Sequence, residues 1–239
     1  MNTVKIDPGS TKMIAHRGVS GLEKENTCAA FVAAGNRSYY GIETDVHVTK
    51  DGKFIVIHDD DTARVCSENI SVEGSSFEEL RSLKLDGIKG EKGRNDLCLP
   101  SLEEYITICR KYEKIAVLEL KNEMTREQVL EICAEIDSLG MLGNTVFISF
   151  AFNNLVYIRE RYPEQTVQFL TDGFYDGLIE TLVEHNMDLD VNFTALDREK
   201  VALLHSKGLK VNVWTVDDKE TAEEISSWGC DFITSNILE

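Results

Sequence analysis

The chain has 239 residues, of which 42% are hydrophobic and 28% charged, and it carries a net charge of −17. This is the usual size of a (β/α)8 barrel, although length alone also suits two small domains, and the composition is that of a soluble protein with a full core. The negative charge speaks against non-specific binding to nucleic acid or to an anionic membrane, and no apolar run reaches the ~18–20 residues a membrane span needs.

Eight short β-rich runs alternate with amphipathic helical stretches: 13–15, 41–48, 115–120, 145–150, 166–170, 189–193, 209–216 and 231–234. A ninth run, 54–57, follows the turn pair Asp51-Gly52. So tight a turn joins only antiparallel strands, which makes 54–57 a hairpin arm and leaves it out of the count. Thr125-x-x-Gln128 is a capping-box pattern opening a helix that stops at Gly140. Asp197 opens a second helix that Gly208 closes, and Asp217-x-x-Glu220 opens a third that Gly229 closes. Eight strand–helix repeats predict an α/β fold, a (β/α)8 TIM barrel forming a single catalytic domain over 1–239. A hairpin and an insertion at about 60–100 follow the second strand, and the insertion is long enough to be a lid or a specificity segment. The chain stops four or five residues past the last run, which leaves no residues for an eighth outer helix.

Six cysteines (Cys28, Cys66, Cys98, Cys109, Cys133 and Cys230) show no CxxC and no regular spacing. They read as free thiols in a reducing cytosol. The first dozen residues are polar and include Pro8-Gly9, so no signal peptide is expected and the localisation reads as cytoplasmic.

Barrel active sites lie at the C-terminal ends of the strands, which makes polar residues there the candidates. The first strand ends in His16-Arg17-Gly18 and the second carries Glu43-x-Asp45, two carboxylates on one face. The hairpin arm ends at His58-Asp59, the third strand at Glu119-x-Lys121, and the seventh supplies Asn212 and Trp214. Each has an ordinary explanation alone: a salt bridge, a solvated lysine, a core tryptophan. Together they place three carboxylates, two histidines, an arginine and a lysine at one mouth, which is costly as pure structure without a metal or substrate to balance it. Carboxylates without cysteine suit one divalent cation, Mg2+ or Ca2+. Arg17 and Lys121 add the charge a phosphate needs, and two histidines can share proton transfers. This amounts to metal-assisted phosphoester chemistry. His47 shares the face of Asp45 but reads as a hairpin residue, and His185 and His205 sit on helices without a role.

The motifs AHRG, ENT (25–27), IETDV–TKDG–VIHDD, LPSLEE (99–104), LELK, VWTVD and GCDFITS occur in order from Ile14 to Ser235. In this set the chain resembles the glycerophosphodiester phosphodiesterase family. The resemblance implies a (β/α)8 barrel that hydrolyses glycerophosphodiesters to sn-glycerol 3-phosphate and an alcohol. It further implies Glu43, Asp45 and Glu119 as metal ligands and His16 and His58 as the general acid/base pair. Arg17 and Lys121 would then meet phosphate oxygens, Trp214 would line the pocket, and the reaction would pass through a cyclic phosphate. The expected partner is a small-molecule diester. Lys24 stands where the family usually has Pro, and Thr234-Ser235-Asn236-Ile237 departs from its usual Thr-Asp ending. Two alternatives are a lysophospholipase D-type enzyme and a barrel that only binds phosphodiesters. The net charge and the polar run 86–96 oppose the first, and the intact residue set opposes the second.

Overall fold

Alternation of facing residues along each strand builds a closed barrel. The computed structural model describes residues 2–239. Its strands are β1 (Lys12–Ala15), β2 (Gly41–Val48), β3 (Phe54–Val56), β4 (Ile115–Leu120), β5 (Thr145–Ser149), β6 (Val167–Thr171), β7 (Asp188–Asn192), β8 (Val211–Trp214) and β9 (Phe232–Ser235). The helices are α1 (Cys28–Gly35), α2 (Phe77–Ser82), α3 (Leu102–Lys111), α4 (Arg126–Ser138), α5 (Phe152–Arg161), α6 (Leu178–His185), α7 (Arg198–Ser206) and α8 (Lys219–Ser227). All strands but β3 run parallel in the order β1, β2, β4, β5, β6, β7, β8, β9. β9 returns to β1 in the register Met13↔Ile233, closing an eight-stranded TIM barrel. β3 pairs antiparallel with the end of β2, His47 opposite Ile55, as the Asp51-Gly52 turn requires.

Inward positions Ile14, Val117, Ile148, Leu170 and Phe232 plug the barrel with apolar side chains. Outward positions such as Ala15, Ile42, Leu118, Phe147 and Val213 join the helices in the larger surrounding core. Above the plug the inward residues turn polar, which sets the site at the C-terminal mouth.

The helix starts follow side-chain chemistry. Ser101 with Glu104 and Thr125 with Gln128 form complete capping boxes at α3 and α4. Asp197 caps α7 by accepting from Lys200 N–H. The cap of α8 corrects the expectation from sequence: Asp218, not Asp217, accepts from Thr221 N–H. Asp217 instead accepts from Ser235 Oγ, from the Asn236 N–H and from Asn236 Nδ2. The two adjacent aspartates offer the same chemistry, and the demand of Asn236 decides which one leaves the cap.

The segment 60–100 packs as an annex with its own apolar cluster, in which Val65, Leu80, Leu85 and Leu99 meet Ile55 and Ile57 of the hairpin arm. It contains α2, which was not expected although Ser76 and Glu79 form a complete capping box at its start. After β9 the chain pairs with its own beginning where an eighth helix would stand. Val4 N–H donates to Ile237 O and Glu239 N–H donates to Val4 O, while Leu238 and Ile6 enter the outer core. The Glu239 carboxylate accepts from Ser38 N–H at 2.6 Å and meets Lys5 Nζ at 2.8 Å.

Candidate active site

The pairing of β2 with β4 sets Asp45 opposite Glu119, with Glu43 one inward position below. One oxygen from each of the three buried carboxylates lies within 4.8 Å of the others. So close a trio resists full ionisation. Burial and then Asp45 push both Glu43 and Glu119 above the usual carboxylate range. Burial would raise Asp45 too, but Arg17, His58 and Lys121 hold it below that range. Lys121 Nζ stands 2.7 Å from Glu119 Oε1 and 3.7 Å from Asp45 Oδ1, and Asn26 Nδ2 donates to Asp45 Oδ2 at 2.7 Å. Asp45 Oδ1 is buried with no hydrogen-bond partner. A trio of clustered carboxylates, one with an unpartnered buried oxygen, fits a hard divalent cation.

The His16-Arg17-Gly18 turn brings the positive charge in. Arg17 and Gly18 both take positive φ, 52° and 72°. A Cβ on residue 18 would lie 2.6 Å from the Ala30 Cβ, so only glycine fits against α1. The turn aims the Arg17 N–H at Glu43 Oε2, 2.7 Å away, and sets its Nε 3.7 Å from Asp45 Oδ2.

Both histidines are held through Nδ1. His16 Nδ1 lies 2.7 Å from Asn236 Oδ1, which also accepts from Ser20 Oγ, while Asp217 takes the Asn236 amide. His58 Nδ1 lies 2.6 Å from Asp59 Oδ1. An acceptor at Nδ1 fixes the proton there and leaves each Nε2 free to exchange one. His16 Nε2 sits 3.9 Å from Glu43 Oε2. Burial and then Arg17 push the His16 imidazole down to about 4, and burial lowers His58 although Asp45 works against it.

The annex contributes Arg64, which sequence reasoning did not single out. Its Nε donates to Asp59 Oδ2 at 2.6 Å, and its Nη1 and Nη2 donate to Glu25 at 2.5 and 2.9 Å. Glu25 in turn accepts from Arg17 Nη1 at 2.9 Å. One guanidinium thereby holds the partner of His58 and the partner of Arg17.

A cleft opens over these groups, lined by His16, Arg17, Glu43, His58, Glu119, Trp214 and an apolar wall of Ile148, Phe150 and Leu170. Asp45 and Lys121 stand behind its surface, within the carboxylate cluster. Trp214 meets Phe150 edge-on, with ring centroids 5.9 Å apart. Asn212 is not in the lining: it is buried below, accepting from Thr234 and donating to Gln168. His47 is buried in the hairpin beside Glu73, as expected. His185 packs on Phe152, and His205 pairs with Asp231 far from the cleft. Asp190 does line the cleft, with its carboxyl pushed well up by burial and then by Glu119. Its signal was present in MDLDVN (187–192), where the parity that paired Glu43 with Asp45 also turns Asp190 inward.

The model of the glycerophosphoryl diester phosphodiesterase family matches residues 16–238. A glycerophosphodiester phosphodiesterase of Caldanaerobacter subterraneus subsp. tengcongensis is 30% identical over 96% of this chain and 95% of its own length. Among solved structures, a phosphodiesterase of Oleispira antarctica, in complex with the product sn-glycerol-3-phosphate, superposes with a TM-score of 0.83. It is 25% identical and covers 98% of this chain and 96% of that one. A glycerophosphodiester phosphodiesterase of Parabacteroides distasonis is 28% identical with a TM-score of 0.78, covering 95% and 93%.

Proposed function

The chain belongs to the glycerophosphoryl diester phosphodiesterase family, and from that premise we propose how its cleft turns a glycerophosphodiester into sn-glycerol 3-phosphate and an alcohol. The single observation that carries the reading is the convergence of two Nδ1-anchored histidines, Arg17 and the carboxylate trio on one cleft. A divalent cation, Mg2+ or Ca2+, held by Glu43, Asp45 and Glu119 would offset their charge and polarise phosphate oxygens. Arg17, at the cleft surface, takes the phosphate beside the trio, and Lys121, paired with Glu119 behind that surface, adds positive charge toward it.

The two histidines differ in what backs them. His16 leans on a neutral amide and stays unprotonated, so its Nε2 takes the proton of the glycerol hydroxyl next to the phosphate ester. That oxygen bonds to phosphorus as the bond to the departing alcohol breaks. His58 leans on the Asp59 carboxylate, which works against the burial that lowers it and supports the protonated ring, so its Nε2 gives the leaving oxygen its proton. The product of this half is a cyclic phosphate. Water then opens the ring with the roles exchanged, His58 taking the proton of water and His16 returning one to the ring oxygen. An attacking group on the same molecule carries a large proximity advantage. Trp214 and Phe150 close the apolar side of the cleft. Six cysteines without a disulfide support a reducing, cytoplasmic setting.

The test is release of sn-glycerol 3-phosphate from a panel of glycerophosphodiesters by metal-stripped protein supplied with Mg2+, Ca2+, Mn2+ or EDTA. Release that requires a cation is expected. Release undiminished in EDTA sinks the metal role, and no release from any diester sinks the substrate class.

A further inference from the structure

Two buried polar atoms of the cleft wall have no use in the scheme above. Asp190 Oδ1 and Trp214 Nε1 are each without a hydrogen-bond partner, and both side chains line the cleft. Asp190 is only 1% exposed. Orphaned buried groups of this kind are costly unless something fills them. The neighbours that might satisfy them are engaged with one another: Asn212 donates to Gln168 at 3.2 Å and accepts from Thr234 at 3.3 Å. β7 and β8 lie side by side, Asp190 opposite Asn212 and Asn192 opposite Trp214. The two orphans therefore come from inward positions one pair apart on adjacent strands, roughly 7–8 Å between backbones. Side chains of this length can converge across that gap.

The geometry points to Asp190 and Trp214 as a hydroxyl-reading pair, which receives the terminal hydroxyl of the glycerol arm and so makes them specificity-determining residues. The chemistry of the pair selects the ligand. Indole N–H only donates, and a carboxyl oxygen accepts. A hydroxyl offers both an acceptor and a donor, and so fills both orphans at once. An ammonium head group has no lone pair for the indole, and an apolar arm leaves both atoms unpaired. The surrounding Ile148 and Leu170 give a hydrocarbon backbone an apolar wall, so an arm carrying carbon and a terminal hydroxyl suits the whole corner. This inference rests on the phosphodiesterase reading, in which Arg17 and the carboxylate trio take the phosphate.

The experiment is calorimetric binding of sn-glycerol 3-phosphate and of 1,2-propanediol 1-phosphate, which lacks only the terminal hydroxyl, to Mg2+-supplemented protein. The wild type is expected to prefer the glycerol compound roughly 10- to 100-fold, the cost of leaving buried polar groups unpaired. Asp190→Leu is expected to remove the preference by weakening the glycerol compound alone. Asp190→Asn, which retains an acceptor in the same volume, is expected to keep part of it, and thermal melts check that both variants fold. Equal affinity of the wild type for the two phosphates overturns the inference, as does a preference that survives Asp190→Leu. Binding of neither overturns it along with the phosphate site. Hydrolysis of glycerophosphodiesters by the same wild-type sample separates the two ideas. Turnover without a hydroxyl preference removes only the pair, and a preference without turnover removes only the phosphodiesterase reading.

Discussion

Replacing Arg64 by alanine removes three hydrogen bonds, to Glu25 and Asp59, without touching any residue that lines the cleft. Arg64 is 45% exposed, so each ion pair contributes less than about 1 kcal/mol to folding. Both together come to about 1 kcal/mol, a fall in Tm of about 2–4 °C for a chain of this size. The effect on turnover is larger, because Asp59 then no longer holds the His58 ring firmly and Glu25 no longer steadies Arg17. Partners of this kind behind reactive groups are worth about 10–100-fold, or about 1.4–2.8 kcal/mol of barrier. Steady-state kinetics on a glycerophosphodiester at saturating Mg2+, with melts alongside, should show kcat/KM falling by that factor. Arg64→Lys should lie between, since an ammonium cannot engage two carboxylates with a planar fork. An alanine variant within about twofold of the wild type, or a lysine variant no better than alanine, would refute the linked-partner argument.

His58→Ala should lower kcat by about 10²–10⁴ with the fold intact by circular dichroism, and near-normal rates would remove its proton-transfer role. Glu43→Gln should weaken Mg2+ binding in a calorimetric titration and abolish turnover, whereas an unchanged titration would take Glu43 out of the cation site. Gly18→Ala should cost about 1–3 kcal/mol from the clash with Ala30 plus strain at positive φ, read as a Tm drop of several degrees, and an unchanged Tm would refute it. Burial raises the Asp59 carboxyl, but hydrogen bonds from Arg64 and His58 outweigh it and hold the group down to about 2, against 3.8 ordinarily. A depressed folded value adds stability that is complete above 3.8 and lost as pH falls toward about 2. The stability gap between wild type and Asp59→Asn, from urea midpoints, should therefore be constant near neutrality and close across that acid window. A gap that is flat with pH contradicts the assignment.

The barrel was legible because each strand obeys a two-residue period, and that same period puts Glu43 and Asp45 on one face. β3 was legible from Asp51-Gly52 alone. The helix edges were less so. Asp217 and Asp218 are equivalent as caps, and only the distant Asn236 separates them. Arg64 meets Glu25 across 39 positions and Asn236 meets His16 across 220, and no local pattern encodes such meetings, whereas Asp59 stands beside His58 in sequence. Asp190 was readable by strand parity and stands in Asp188-x-Asp190, the spacing of Glu43-x-Asp45, but no motif around it points to a cleft. The pairing of residues 237–239 with Val4 was likewise out of reach, because it depends on which two chain segments end up side by side.

The bond between His16 and Asn236 spans 220 positions. Helices and the β2–β3 hairpin can form locally within microseconds, whereas contacts of such separation wait for the chain to be ordered around them. A half-closed barrel would already possess the Glu43–Asp45 strand and yet lack the amide that seats the first histidine. Turnover thus reports on the closing seam rather than on the bulk of the secondary structure. In a refolding time course, regained catalysis should trail regained helical ellipticity, which makes this enzyme its own probe of barrel closure.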